Sequence, residues 1–452
     1  MVALRSARLE ALLNSRLEQV QHSQLMTLVS NQVPESFDLD FKSEMYSSSE
    51  RDKHNAATDV AALANTAGGL LVLGIEEDEQ ARAKAAPGIA LAEEDERRIR
   101  QVVGSRVVPM PVIDVLRIPD PASPGHGLVL IAVPRSPLAP HAVLVNEGLR
   151  YPKRNGATTR YLSEPEVADA YRTRFAATHR QEERAREIEA TALTRLATTD
   201  DQAWVVVSLV PDLPGELIID QAALRAVRAE LMGQHPLIMP VSTQWVRVNI
   251  ARRRISADGT MNESRQARYL SAELYDDGAG VFGAFVLLPG SSGVVNASSG
   301  PEARRISDEA LVNGILSGLR FLARHGRDRA GAGGNALVRA QLYPVGGHQP
   351  FVLSQSCNGF IDSVGTQIMT GQVKPPERVA PLDGLAAGGS DLVSAAYLLA
   401  SDLFQDFGVA EAVQLTRDGG VRLPYWGQEW ISHAEQWATL AGISTTRETL
   451  PG

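Results

Sequence analysis

Between Ser36 and Ile75 the chain reads as a strand, a helix and a second strand, and this run limits the fold more than any other stretch. Phe37, Leu39 and Phe41 alternate with Asp38, Asp40 and Lys42. A period of two marks a half-buried strand over Ser36 to Lys42, with Asp40 and Lys42 on its polar face. Residues 51–66 carry a helical stripe of Ala56, Val60, Leu63 and Ala64. The stretch Asn65-Thr66-Ala67-Gly68-Gly69 is expected to stop that helix, since glycine accepts the left-handed backbone of a helix C-cap. Leu70 to Ile75 is a continuous apolar run, which predicts a strand buried on both faces, and Gly74 lets other backbone come close. The fold class is therefore α/β (α+β).

A chain of 452 residues exceeds one ordinary domain. Leu9, Leu12, Leu13, Leu17 and Val20 recur at helical spacing, so residues 1–32 read as a helical segment. Residues 33–175 form a mixed-sheet domain. It continues through a charged helix at 91–104, strands at 112–117 and 127–133, a hairpin around Asn146-Glu147-Gly148, and a helix at 163–175 started by Ser163 and Glu166. Residues 176–199, rich in Arg, Glu and Ala, read as an exposed charged helical linker. Residues 200–452 form a second α/β domain. Its signals include a turn at Asp276-Asp277-Gly278, a helix from Asp308 capped by Ser307, a Pro- and Gly-rich loop at 374–390, and a helix from Asp391 capped by Ser390.

The net charge of −9 argues against a general coat for nucleic acid but leaves room for a local basic groove. A single cysteine, Cys357, excludes an internal disulfide and a Cys-rich zinc site. No run of 18 apolar residues and no secretory signal are visible, so a cytoplasmic protein without a membrane span is expected. Lysine supplies only five of the 44 basic residues, a bias that fits a GC-rich bacterial coding sequence.

Acidic residues and one lysine gather at the ends of the two strands. Glu35 precedes the first, Asp40 and Lys42 lie on it, and Glu76 and Glu77 leave the second. Hydrolysis of a phosphodiester needs carboxylates converging on Mg²⁺ or Mn²⁺ and a nearby cation to neutralise phosphate charge. If the strands are neighbours, these residues could supply both. Solvated acidic turns look the same in sequence, so spacing alone does not separate the two readings.

The pattern Glu-Ser-x-x-Leu-Asp-Phe-Lys, followed by Ala-x-x-Ala-Asn-Thr-x-Gly-Gly-Leu-Leu-Val-Leu-Gly-Ile-Glu-Glu, resembles the Schlafen AlbA_2 domain. Val133-Pro134-Arg135-Ser136 and Tyr151-Pro152-Lys153-Arg154-Asn155-Gly156 fit its second half. The resemblance implies binding of RNA or DNA. It also implies an endoribonuclease acting on tRNA or other structured RNA, in stress or phage defence, with Glu35, Asp40 and Glu77 as catalytic and metal-ligating acids and Lys42 beside them. Asp40 and Glu77 each exchange Asp and Glu relative to the usual pattern, which supports binding better than cutting. Lys42, Lys53, Arg150, Lys153, Arg154 and Arg160 are the expected nucleic-acid contacts. Animal members build their groove from two lobes, so one copy here implies a homodimer. A non-catalytic DNA- or RNA-binding regulator, or a scaffold using the domain to dimerise, are the alternatives.

Other signals are weaker. Arg329 to Asn335 is glycine-rich but lacks the Gly-Lys-Ser/Thr ending of a phosphate loop, and no such nucleotide motif occurs elsewhere. It reads as a flexible connection. Arg252-Arg253-Arg254 reads as a solvated turn, Trp426 and Trp430 as core, and Cys357 as a structural thiol.

Overall fold

The strand that carries Asp40 lies beside the apolar run, so the condition for the acids to meet is satisfied at this pair. In the computed structural model, β1 (Leu39–Lys42) pairs in parallel with β2 (Gly68–Leu73), placing Asp40 opposite Leu71 and Lys42 opposite Leu73. The structure describes residues 4, 6–15, 17–197, 203–231, 237–238, 243–261, 268–286, 294–295, 303–343, 351–357, 360–362, 368–369 and 374–450. The chain divides into two compact units, Met1–Arg180 and Gln181–Gly452.

In the first unit the N-terminal segment forms α1 (Ala7–Leu13) and α2 (His22–Ser30), and α3 (Glu50–Ala64) joins β1 to β2. There follow β3 (Glu76–Glu77), β4 (Ala83–Ala85), β5 (Ile89–Ala90), α4 (Asp95–Arg106), β6 (Val107–Val108), β7 (Asp114–Pro119) and β8 (His126–Pro134). The sheet has five strands in the order β1-β2-β8-β5, with β7 also on β8; only the β1–β2 pair is parallel. A strand sends alternate side chains to opposite faces. Leu70 and Val72 accordingly join Leu39 and Phe41 in one apolar cluster with Leu9, Leu13, Leu25 and Leu28 of the N-terminal helices. Leu71 and Leu73 face the other way, to Ala57, Val60, Ala61, Ile99 and Val103 of α3 and α4. The result is three layers, and Asp40 and Lys42 point into the layer under α3.

Two small hairpins complete the unit: β9 (Ala142–Val145) with β10 (Gly148–Arg150), and β11 (Pro152–Asn155) with β12 (Thr158–Tyr161). Helix α5 (Glu164–Leu196) then runs without a break. Its start uses Glu166, which accepts from the Ser163 backbone N–H at 2.9 Å, as the capping box predicts. The stretch expected to be an exposed linker is instead the end of this helix. Ala185, Ile188, Ala192 and Leu196 recur at helical spacing and are buried in the second unit with Trp204, Val206 and Val281.

The second unit is built on seven antiparallel strands in the order β14-β15-β16-β17-β13-β20-β24. They are β13 (Trp204–Leu213), β14 (Thr243–Ala251), β15 (Arg254–Met261), β16 (Arg268–Tyr275), β17 (Gly280–Phe285), β20 (Gly333–Tyr343) and β24 (Glu377–Pro381). Helix α6 (Gln221–Leu231) follows β13, and short strands β18 (Val294–Val295), β19 (Ala303–Ser307), β21 (Phe351–Cys357), β22 (Phe360–Asp362) and β23 (Ile368–Met369) form a second sheet. Helix α7 (Asp308–Arg324) is capped by Ser307, whose hydroxyl accepts from Ala310 N–H at 3.1 Å. It is buried nearly all round, between the large sheet and helices α8 (Leu382–Ala387) and α9 (Ser390–Gln405). Helix α10 (Gln428–Ala441) closes the unit, and Trp426 is buried as expected.

Three local expectations differ. Residues 377–387, read as loop, form an edge strand and a short helix. Ser390 is the first residue of its helix, with Gly389 at the cap position. The glycine-rich connection after α7 begins as a wide helical turn, His325–Ala330, before β20. The side chain of Cys357 lies outside the described residues. No helix among the described residues is long and apolar enough to cross a membrane.

Candidate functional site

Burying Asp40 requires a partner, because an unpaired carboxylate inside a protein is costly. Asp40 is 2% exposed. Its Oδ1 accepts from Arg154 Nη1 at 2.9 Å and its Oδ2 from Lys42 Nζ at 2.5 Å. Arg154 comes from β11, far along the sequence, and its side chain is 3% exposed. Its other terminal nitrogen donates to the Ser36 carbonyl at 3.1 Å and lies 3.7 Å from Glu35 Oε2.

The residues that deliver Arg154 are those of the Asn-Thr-x-Gly-Gly stretch. The Asn65 side chain donates to the carbonyls of His141 and Pro152, both at 2.8 Å, and accepts from His141 N–H at 2.6 Å. Thr66 Oγ1 accepts from Arg154 N–H at 3.0 Å. These bonds clasp β11 and the start of β9 to the end of α3. The two glycines serve the same junction rather than the helix cap, which falls on Asn65 in right-handed conformation. Gly68 (φ +75°) and Gly69 (φ +153°) open β2. A Cβ on Gly68 would meet Arg135 N at 2.4 Å, and one on Gly69 would meet the Asp38 carbonyl oxygen at 2.3 Å. No other residue type fits there.

Glu35 is fixed on the opposite side. Its N–H donates to the Ala81 carbonyl at 2.7 Å, and its Oε1 accepts from Phe41 N–H at 2.8 Å. Burial, then the charge of Asp40, pushes the Glu35 carboxyl up to about 8, against the Phe41 hydrogen bond, which lowers it; the charge of Glu77 adds to the rise. Glu77 itself stands exposed on β3.

The sequence did not single out Asp59, which sits on α3 over Lys42. Lys42 Nζ is 3.8 Å from Asp59 Oδ2, and Tyr46 Oη donates to that same oxygen at 2.8 Å. Burial pulls the Lys42 ammonium down, but Asp59 and Asp40 outweigh it and hold it above the ordinary lysine value. Burial raises the Asp59 carboxyl, with Lys42 opposing, and burial beside Asp59 raises the Tyr46 hydroxyl. Asp59 lies on the same helical stripe as Ala56 and Leu63, and an acid among those apolar positions was the available signal.

This arrangement does not fit Mg²⁺ or Mn²⁺. Both oxygens of Asp40 are taken by cationic side chains, Glu35 Oε1 is taken by an amide, and the Arg154 guanidinium reaches towards both acids. Among the described residues no group of three or more His, Cys, Asp or Glu is placed to hold a metal ion.

The six expected nucleic-acid contacts separate into two sets. Arg154 is interior and cannot meet phosphate, because the clasp turns its side chain under α3. Lys42 is largely occupied by Asp40 and Asp59. Lys53 pairs with Glu50 at 2.8 Å on the surface of α3. Arg150, Lys153 and Arg160 remain outside. In the β11–β12 hairpin Lys153 stands directly opposite Arg160, so both share the outward face, with Asn155 and Thr158 beside them. Like charges directly opposite on a sheet repel. Arg160 is partly neutralised by a two-pronged bond to Glu166 at 2.9 and 2.6 Å, which holds the Glu166 carboxyl down at about 2. Lys153 has no carboxylate partner among the described residues. Arg150 lies over the Tyr161 ring at 5.8 Å, and Tyr161 is 42% exposed.

Residues 35–163, under a third of the chain, match the family model described as "Schlafen, AlbA_2". Among solved structures, the chain is similar to the crystal structure of the DIP2311 protein from Corynebacterium diphtheriae at 20% identity. That match covers 37% of this chain and 29% of that one, with a TM-score of 0.24. It is also similar to the solution structure of the N-terminal domain of an ATP-dependent DNA helicase RecG-related protein from Nitrosomonas europaea. There the identity is 19%, covering 30% of this chain and 89% of that one, with a TM-score of 0.22. The chain thus spans less than a third of the Corynebacterium protein. No curated protein matches it.

Proposed function

We propose that the first unit, whose residues 35–163 match the AlbA_2 family, binds nucleic acid through the outward face of the β11–β12 hairpin and the neighbouring Arg150. The observation that carries this reading is the placement of Lys153 directly across from Arg160. Glu166 answers Arg160 but Lys153 has no carboxylate among the described residues, and an anionic partner would relieve what repulsion remains. Arg150, Lys153 and Arg160 would contact phosphates, and Asn155 and Thr158 would add hydrogen bonds. The family match supports a nucleic-acid-related role of this kind.

In this reading the Glu35–Asp40–Arg154–Lys42–Asp59 network is a frame. It spends its cations on its own carboxylates and anchors the hairpin that does the binding. Endonucleolytic cutting of RNA by Glu35, Asp40 and Glu77 is the reading it displaces.

The test is fluorescence anisotropy of the full chain with labelled single-stranded RNA, hairpin RNA and duplex DNA at several salt concentrations. Salt-sensitive binding that is lost in the Lys153→Glu/Arg160→Glu variant supports the proposal. No binding at low salt, or equal binding by that variant, removes it. Incubation with tRNA and Mn²⁺, beside a Glu35→Ala/Asp40→Ala control, separates binding from cutting: cleavage by the wild type alone would restore the nuclease reading. A groove between two lobes would need two copies of this unit. Sedimentation with and without RNA measures whether they assemble.

A further inference from the structure

The second unit contains a cavity of about 570 Å³ bounded by α7, the turn after α8, and α10. Its polar lining is Arg320 and Arg324, one helical turn apart on α7, together with His433 and Gln436 of α10. Its apolar wall is formed by Trp437 and Leu440 of α10 and by Leu237. Among the described residues no carboxylate lines it.

Several arginines of this unit are matched with acids. Arg195 meets Asp258 and Glu273, Arg254 meets Glu273, and Arg378 meets Asp402. Arg320 and Arg324 are not so matched, and they stand side by side. Arg324 Nε donates to the Ala386 carbonyl at 3.2 Å, and neither guanidinium has a carboxylate partner among the described residues. Side chains four apart on a helix are neighbours, so these two cations repel. Burial, and then the charge of Arg324, draws Arg320 down to about 10. A folded protein carries such a pair at a cost, and a bound anion removes it. Beside the pair, Leu440 is 82% exposed and offers open apolar surface, while Trp437 is buried and shows only its edge.

We infer that this cavity binds a small phosphate ester of nucleotide size, with the phosphate between Arg320 and Arg324 and a flat, largely apolar body against Leu440 and the exposed edge of Trp437. Guanidinium groups bind phosphate through paired N–H donors. A cavity of this size is in the range that holds one small organic molecule. His433 is placed to add a third contact to the phosphate or the sugar. The inference rests on the second unit alone and stands whether or not the first unit binds nucleic acid.

Calorimetric titration of the full chain with AMP, GMP, CMP and UMP, inorganic phosphate, and adenosine tests it. At least one mononucleotide should bind more tightly than inorganic phosphate and than adenosine. Affinity should fall about tenfold to a hundredfold in R320Q and in R324Q. L440Q should weaken the mononucleotide and leave inorganic phosphate unchanged. Because R320Q removes a repelled charge, its melting temperature should equal or exceed that of the wild type. As a measurement that needs no variant, a bound mononucleotide should protect Arg320 and Arg324 from phenylglyoxal, read by peptide mass mapping. The inference is overturned if no mononucleotide binds, if inorganic phosphate binds as tightly as every mononucleotide, if R320Q and R324Q bind as the wild type does, or if no protection is seen.

Discussion

Replacing Arg154 by Met keeps the length of the side chain and removes its charge, and the consequences can be worked through from its contacts. Met cannot donate, so Asp40 Oδ1 loses its 2.9 Å bond and the Ser36 carbonyl loses its 3.1 Å bond. Asp40 and Arg154 side chains are each 3% exposed, so water does not readily replace what is lost. Breaking a buried pair by deleting one member costs about 3–5 kcal/mol. The Lys42 bond to Asp40 stays in place, which puts the expected loss near the lower end, ~3 kcal/mol. For a unit of this size each kcal/mol lowers the melting temperature by about 2–4 °C, so the transition of the first unit should fall by roughly 6–12 °C. Calorimetry can follow the two units separately, and all five tryptophans lie between Trp204 and Trp437, so their fluorescence reports the second unit only. Hydrogen exchange should show faster opening in peptides covering 35–42 and 152–161. Adding Asp40→Asn should restore part of the loss, with a coupling of about 1–3 kcal/mol between the two sites. A loss under about 1 kcal/mol in the single variant, or additive losses in the double, would refute the claim that this ion pair holds the unit together.

Other outcomes follow from the same geometry. Between pH 4.5 and about 8 the folded first unit keeps a proton on Glu35 that the unfolded chain releases, so this group's contribution to stability is full at low pH and is lost as pH rises through that window. Glu35→Gln should flatten that slope in melting temperature against pH, and an unchanged slope would count against the buried, protonated acid. Asn65→Ala removes three hydrogen bonds to buried backbone, so a loss of about 2–4 kcal/mol in urea unfolding and weaker RNA binding are expected together. If the hairpin makes about three phosphate contacts, the slope of log affinity against log salt should be about −2 to −3, and Lys153→Gln should reduce it by about one. An unaltered slope would place the contacts elsewhere. Gly69→Ala forces a Cβ against the Asp38 carbonyl and should cost more than ~1 kcal/mol, measured by the same urea titration.

Periodicity was enough to read β1, α3 and β2, because each buries a regular set of apolar side chains and Leu39, Phe41 and Leu70 to Leu73 have no other use. The acids at the strand ends were equally plain. What the sequence could not show was which cations would reach them. Arg154 stands 114 positions after Asp40, and only the Asn65 and Thr66 clasp brings it there. Spacing therefore left it among the surface contacts with Lys153, its neighbour on the opposite face of the same strand. Asp59 was hidden for a related reason: a buried acid inside an apolar helical stripe looks like a gap in the stripe until its lysine partner is placed above it. The charged run at 176–199 was read from its many ionic residues, and the spaced Ala185, Ile188 and Leu196 that bury it were outvoted by them. The two unmatched arginines of α7 lay in a helix whose dominant signal was its apolar side.

The clasp has one more consequence. The hydrogen bonds of Asn65 and Thr66 run to main chain, and Gly68 and Gly69 lie against main chain, so the four work as a joint. Arg154 reaches Asp40 only while this joint holds, so a change at Asn65 or Thr66 would disturb the buried acid at one remove, through the strand that carries Arg154.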